Sequence, residues 1–360
     1  MKKRLFAVVL AGALAVSMLA GCGSSSSTTE ATDESTVAEA SSSSSSSGAR
    51  DPRAGGDTYT LGASITNISN PFYVQINTRL GEICEEKGWE YVSMDGNGDA
   101  NKQITDCEDL VTQGADMILL NAYDPSIMKE TVNAIRADYN VPIVAIDSGL
   151  DDDVQVLTTV QAANYDNGFE CGKWCAKQMG KTPIKAALLS GEMGTDNSLK
   201  RRDGLLSGII EQQLEDNGEV NLEVIFQGYC ADWAEDSAVD QAGDLAALGE
   251  DFNVLLSEAD VMTMAAIPVL EDAGIDMDNV LIVNAADGQK EAFELLMDDS
   301  ANYGCTGLNS PTEIANMSCE VFEQWINGAD WGDFSEKTYT PAACITSENV
   351  ADYYDPDSAF

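Results

Sequence analysis

Histidine is absent from the 360-residue chain, which excludes triads with a histidine base and the usual histidine-ligated zinc sites. Basic residues are scarce: 19 Lys and Arg stand against 61 Asp and Glu, for a formal net charge of −42. Nucleic acid and anionic membrane faces are held by basic patches, so neither is an expected partner. The acidic excess reads instead as a solvated surface that keeps the protein soluble. The eight cysteines after Cys22 are an even number, which permits disulfides in an exported protein, yet they form no close-set framework. Cys171 and Cys175 fall four apart on one predicted helix face, but no second close pair accompanies them. Free cysteine packing as a small hydrophobe is the expected role. Heptads and solenoid repeats are missing too, so the chain is neither a coiled coil nor a repeat array.

What is present begins with an N-terminal address. Lys2, Lys3 and Arg4 form a basic head, and residues 5–19 are almost wholly apolar. That run is too short for a comfortable membrane span and reads as an export signal. Its ending, Leu19-Ala20-Gly21-Cys22, resembles a bacterial lipoprotein signal, which implies that residues 1–22 carry the signal and that Cys22 receives lipid. Residues 23–57 are dominated by serine, with hardly a large apolar side chain. Such a segment cannot bury enough surface to offset its ordering entropy, and is expected to be a disordered tether.

From residue 58 the pattern alternates. Buried-looking strands are predicted at 58–65, 90–94, 116–122, 142–148 and 155–160, then at 185–190, 222–227, 252–257, 281–285 and 304–308. Helical stretches are predicted between them, at about 71–87, 100–113, 125–138, 167–179, 198–214, 233–248, 260–273, 289–297 and 311–326. Strands rich in Val, Ile and Leu that alternate with helices define an α/β fold with parallel sheets covered on both faces. Two such series predict two doubly wound lobes with a cleft between their rims. The first strand delivers Asn70-Pro71-Phe72-Tyr73 to its carboxyl end: Asn70 suits an N-cap and Pro71 the first helical turn. In open α/β sheets, ligands sit at this end of the strands.

Polar and aromatic residues recur at the same rim. The first series offers Asn70, Phe72, Tyr73, Asn121 and Asp147; the second offers Arg201, Trp233, Asp287 and Asn309. Amides, carboxylates and a guanidinium direct hydrogen bonds to hydroxyls, and aromatic rings cover the C–H faces of a sugar. Together with the 95–103 loop and the Arg201-x-x-Gly204 and Asp287-Gly288 pairs, they make residues 58–346 similar to the type I periplasmic sugar-binding proteins that feed ABC importers. The resemblance implies two lobes joined by a three-strand hinge. These would be residues 58–163 with 310–336, and 164–309 with 337–350, with crossings near Ala163, Asn309 and Glu336. It implies that the nine rim residues contact ligand, that no cofactor or catalysis is involved, and that a monomeric, lipid-anchored extracytoplasmic protein delivers a monosaccharide or small polyol to a permease.

Two positions depart from the ribose-binding pattern. Ser148 replaces an arginine after Asp147, and Ala259 replaces an asparagine before Asp260. Carboxylates then outnumber cations at the rim, which favours a donor-rich ligand: another pentose, a hexose, a polyol or an amino sugar. Asp95-x-Asn97-x-Asp99-x-Asn101 starts like a calcium loop, but Ala100 and Asp106 stand where such a loop needs Gly and Glu. Two other functions fit less well. A sugar-sensing subunit would share the site and differ in its partner. A glycosidase could recruit Asp147 and Asp287 as paired carboxylates, but nothing supplies a strained nucleophile or a metal.

Overall fold

A computed structural model describes residues 58–360 except 152, 299–301 and 359. The signal-like segment 1–22, its Cys22 and the tether 23–57 lie outside the described residues. The chain enters on β1 (Thr60–Ile65), every residue of which is buried. It turns into α1 (Pro71–Lys87) through the expected cap: Asn70 Oδ1 accepts the Phe72 N–H at 2.9 Å, and Pro71 takes the first turn. Alternation continues through β2 (Glu90–Asp95), α2 (Ala100–Thr112), β3 (Met117–Leu120), α3 (Pro125–Tyr139), β4 (Ile143–Ile146) and β5 (Thr159–Ala162). The second series is α4 (Asn164–Met179), β6 (Ile184–Ser190), α5 (Asp196–Asn217), β7 (Leu222–Tyr229), α6 (Glu235–Leu248), β8 (Val254–Ser257), α7 (Asp260–Asp272), β9 (Leu281–Asn284), α8 (Lys290–Met297) and β10 (Tyr303–Gly307). Then follow α9 (Pro311–Ile326), β11 (Lys337–Thr340) and β12 (Cys344–Thr346).

The strands form two six-stranded sheets, in the orders β11-β5-β4-β3-β1-β2 and β12-β10-β9-β8-β6-β7. All pairs are parallel except β12, which runs antiparallel to β10. In each sheet the strand order reverses beside the first strand, between β1 and β3 and between β6 and β8, and crevices open at the carboxyl ends of such pairs. Both faces of both sheets are covered, which is why the central strands are buried along nearly their whole length and mostly apolar. Ile76 and Leu80 of α1 and Phe322 and Trp325 of α9 cover one face of the first sheet; Leu110 of α2 and Met128 and Val132 of α3 cover the other. In the second sheet, Cys171 of α4 and Leu205 and Ile209 of α5 oppose the apolar residues of α6, α7 and α8.

Helices α4 and α5 approach unusually closely because glycine lines their contact. A Cβ on Gly204 would lie 2.2 Å from the Tyr165 carbonyl oxygen, and one on Gly168 would lie 2.4 Å from that of Arg201. The close crossing places Arg201 of α5 against Asn164 of α4.

The chain passes between the sheets at Ala163, over 308–310 and over 341–343. The third crossing falls later than the expected Glu336. Lys337–Thr340 pairs in parallel with β5, in register from Lys337↔Thr159 to Thr340↔Ala162, so residues 337–340 belong with the first sheet rather than the second. As a short, half-exposed edge strand, this segment carries no apolar run to betray it. β5 also begins later than the predicted 155–160. Val154 and Leu157 are buried, but they pack from the preceding loop and take no place in the ladder.

Candidate functional site

The first rim is built on the ends of β1, β3 and β4. Asn70 is exposed, and its side-chain oxygen is used by its own helix. Phe72, 8% exposed, lies edge-on to Tyr73 at 5.4 Å between ring centroids. The Tyr73 hydroxyl donates to Asp147 Oδ2 at 3.1 Å. Burial, with the Asp147 charge beside it, pushes the Tyr73 phenol well above its ordinary value, so it stays a donor. Asn121 is buried below the rim: its Oδ1 accepts the Thr66 N–H and its Nδ2 donates to the Ile146 carbonyl, both at 3.3 Å, tying the ends of β1 and β4 together. Asp147 follows β4 in the left-handed region at φ 65°. Burial raises its carboxyl to about 6 and Asp287 adds to the rise, against the opposing influence of Arg201, Tyr73 and Asn309.

The second rim centres on Arg201, 4% exposed. Its Nε donates to Asn164 Oδ1 at 2.8 Å, and its Nη1 donates to the Glu258 carbonyl at 3.0 Å and pairs with Asp287 Oδ1 at 2.9 Å. The remaining terminal nitrogen, Nη2, has no hydrogen bond to any described residue. Trp233, also at positive φ (56°), stands with its ring centroid 5.2 Å from the Arg201 guanidinium carbon. Gly191, where a Cβ would meet that indole at 2.2 Å, leaves room for the ring. Asp287 is held from behind. Asp260 accepts the backbone N–H groups of Asp287 and Gly288, at 3.0 and 2.7 Å, and the hydroxyls of Tyr303 and Thr306, at 2.6 and 3.0 Å. Asn309 reaches Asp287 twice, through its backbone N–H to the carbonyl at 2.8 Å and its Nδ2 to Oδ1 at 3.3 Å. The Asn309 Oδ1 is buried without a donor among the described residues.

The structure therefore brings Tyr73, Asp147, Arg201, Asp287 and Asn309 into one cluster spanning both sheets, with Phe72 and Trp233 beside it. Asn70 and Asn121 serve mainly to hold backbone. Among the described residues at the cluster, Arg201 is the one cation, facing Asp147, Asp287 and the buried Glu258. Burial raises Glu258, opposed by the Gly191 N–H that its carboxylate accepts at 2.8 Å and by the Arg201 charge. Ser148, in place of arginine, accepts a hydrogen bond from Asn197 of α5 at 3.4 Å across the crevice. Ala259 is buried in the second core and offers no side-chain donor. The calcium-like loop is an ordinary strand-to-helix connection. Asp95 accepts the Ile68 and Asn97 N–H groups, Asp99 caps α2, and Asp106 pairs with Lys102 at 2.7 Å.

Sequence reasoning missed Asn164, Glu258 and Asp260, which hold Arg201 and the Asp287–Gly288 turn in place. A charged residue inside an apolar run, as at Ser257-Glu258-Ala259-Asp260, was the available signal. It also missed the C-terminal segment. Residues Val350–Asp352 form a 3-10 turn packed near α8, Tyr354 donates to Glu294 at 3.1 Å, and Lys290 donates to the Pro356 carbonyl. Phe360 then meets Phe72 edge-on at 5.0 Å, so this segment links the second lobe to the first rim.

Two doubly wound lobes with polar rims facing one crevice define a two-lobed binding protein. The chain belongs to the periplasmic binding protein domain family, which matches residues 61–330. Members of that family bind substrates rather than transform them, and this chain is accordingly a binding protein and not an enzyme. It is 25% identical over 270 residues to the ribose import binding protein of Bacillus subtilis, covering 75% of this chain and 82% of the relative. Its fold is similar to an ABC transporter solute-binding protein of Mycobacterium smegmatis with bound glycerol, at TM-score 0.72 and 23% identity over 84% of this chain and 98% of the other. A Bacillus halodurans solute-binding protein with bound myo-inositol is likewise similar, at TM-score 0.70 and 23% identity over 82% and 97%.

Proposed function

We propose that this is an extracytoplasmic solute-binding protein that captures a monosaccharide or small polyol between its two rims and delivers it to an ABC permease. Lipid on Cys22 holds it at the membrane, and residues 23–57 give it reach. The lobes, 58–163 with 310–340 and 164–309 with 341–350, hinge at the three crossings, and ligand favours closure through the contacts it makes only there. The relatives' ribose, glycerol and myo-inositol support the polyhydroxy class.

The observation that carries the reading is Asn309 Oδ1, a buried acceptor without a donor among the described residues, on a side chain whose Nδ2 donates to Asp287. A buried polar atom left unpaired costs about 1–3 kcal/mol, and a ligand hydroxyl removes that cost. Asp147 and Asp287 accept further hydroxyl hydrogens, Arg201 Nη2 donates, and Tyr73 and Trp233 flank the ring. With Ser148 supplying no charge, acceptors outnumber donors, so the ligand is rich in hydroxyl or amino groups.

Calorimetry over a panel of pentoses, hexoses, polyols and amino sugars tests this. One ligand class is expected to bind at micromolar affinity, about −8 kcal/mol, and Asn309→Ala is expected to weaken it roughly ten- to a hundredfold. Full occupancy in that variant, or silence from the whole panel, removes the reading. Cys22→Ala is expected to release the protein from the membrane fraction; retention there removes the lipid anchor but leaves the binding site standing.

A further inference from the structure

Each crossing between the lobes meets the second lobe beside a cysteine. Cys171 sits on α4, two turns after Ala163; Cys305 is on β10, just before the 308–310 crossing; Cys344 opens β12 directly after 341–343. Their three sulfurs lie within 4.8 Å of one another. Cys171 and Cys305 are fully buried, and Cys344 is partly exposed at the edge of the group. By contrast, Cys107 stands alone among the apolar side chains of its core. All three of the clustered thiols are free.

Packing alone asks only that a thiol fill space among methyl groups, as Cys107 does. Three converging sulfurs form a donor set. Metal–sulfur bonds of about 2.3 Å set sulfurs roughly 3.8–4 Å apart, a spacing reached here by sub-ångström shifts. With no histidine in the chain and no carboxylate in the trio, the set is soft and selects a thiophilic ion over calcium or magnesium.

We propose that Cys171, Cys305 and Cys344 form a three-thiolate site for a thiophilic divalent metal ion of the zinc and cadmium class, entered at Cys344. Binding expels the thiol protons as all three sulfurs become thiolates, and leaves the site with a net charge of minus one and an open fourth position. No electron transfer is involved. The ion would tie the second-lobe ends of all three crossings together, so it stabilises the base of the hinge.

The test is a cadmium titration of the full chain, purified anaerobically and freed of reductant. Sulfur-to-cadmium charge-transfer absorption is expected to rise and saturate at one equivalent, with protons released. Zinc is expected to displace cadmium and to raise Tm. Cys344→Ser, at the exposed edge, is expected to abolish the signal; unchanged far-ultraviolet dichroism shows that it still folds. A Cys84→Ser/Cys319→Ser variant, which changes the two cysteines buried between α1 and α9 in the first lobe, is expected to keep the signal. Absence of a saturable one-equivalent signal in the wild type overturns the site, as does an unchanged signal in Cys344→Ser or its loss in Cys84→Ser/Cys319→Ser. A disulfide joining two of the three sulfurs in protein taken from the cell envelope overturns it as well.

Discussion

At the scale of single residues, the site sets stability against binding. Asp147 adopts a backbone conformation that side chains with a Cβ enter at a cost, and its carboxyl is buried. With its value raised from 3.8 to about 6, the folded protein holds a proton between those values that the unfolded chain has released. Stability from this group is therefore greatest below about pH 4 and is lost as pH rises through about 6. Tyr73 from α1, Arg201 from α5, and Asp287 and Asn309 from the opposite rim face the group and set that window. Asp147→Asn removes the titration, so its Tm relative to wild type should climb by a few degrees between pH 4 and pH 7. Its sugar affinity should fall roughly ten- to a hundredfold at pH 7, the loss of hydrogen bonds to a charged acceptor. Thermal scans and calorimetry across that range check both signs; a flat difference in Tm removes the assignment. Asp260 shows a second use of a buried carboxylate. Burial, with Asp287, raises it to about 7, and its bonds to the N–H groups of Asp287 and Gly288 hold that turn in place.

At the scale of elements, the α4–α5 contact decides where Arg201 stands. The two helices touch through backbone because glycine stands at the crossing, and Arg201 is one turn from Gly204 on the same helix. Gly204→Ala would put a methyl 2.2 Å from the Tyr165 carbonyl oxygen. The helices must then separate, which is expected to cost about 2 kcal/mol or more and to loosen the Asn164–Arg201–Asp287 chain. The same substitution at Gly243 of α6 meets nothing within 4 Å, and is expected to stabilise by about 0.5–1 kcal/mol through helix propensity and a less flexible unfolded chain. Denaturant melts of the two variants are expected to move in opposite directions; parallel shifts would show that the α4–α5 contact is looser than described. Most of these elements were legible beforehand. Asn70-Pro71 opens α1, Pro125 opens α3 and Pro311 opens α9, and buried runs such as Val254–Ser257 show as strands. β11 and β12 were not, because an edge strand of four or three residues draws its identity from its neighbour's hydrogen bonds rather than from its own pattern.

At the scale of the whole molecule, the lobes are joined by more than their three crossings. Lys337 lies 3.8 Å from Asp196, Ser148 meets Asn197, and the C-terminal segment carries Phe360 from α8 to Phe72. The exposed ion pair contributes little; the aromatic contact is worth about 1 kcal/mol beyond the area it buries. Phe360→Ala is therefore expected to favour the open arrangement, lowering sugar affinity several-fold and increasing the radius of gyration of the unliganded protein. Calorimetry and small-angle scattering check this, and unchanged values in both would show that the segment does not couple the lobes. Alternating buried runs and their polar stops are local properties, so the order of strands and helices, the two-lobed class and the rim residues Tyr73, Asp147, Arg201, Asp287 and Asn309 could be read from the chain alone. The position of the third crossing, the support given by Asn164, Glu258 and Asp260, the reach of Phe360 and the meeting of three cysteines were decided only by the tertiary structure. Each depends on contacts between residues far apart in the chain, and periodicity records whether a side chain is buried but not what it is buried against.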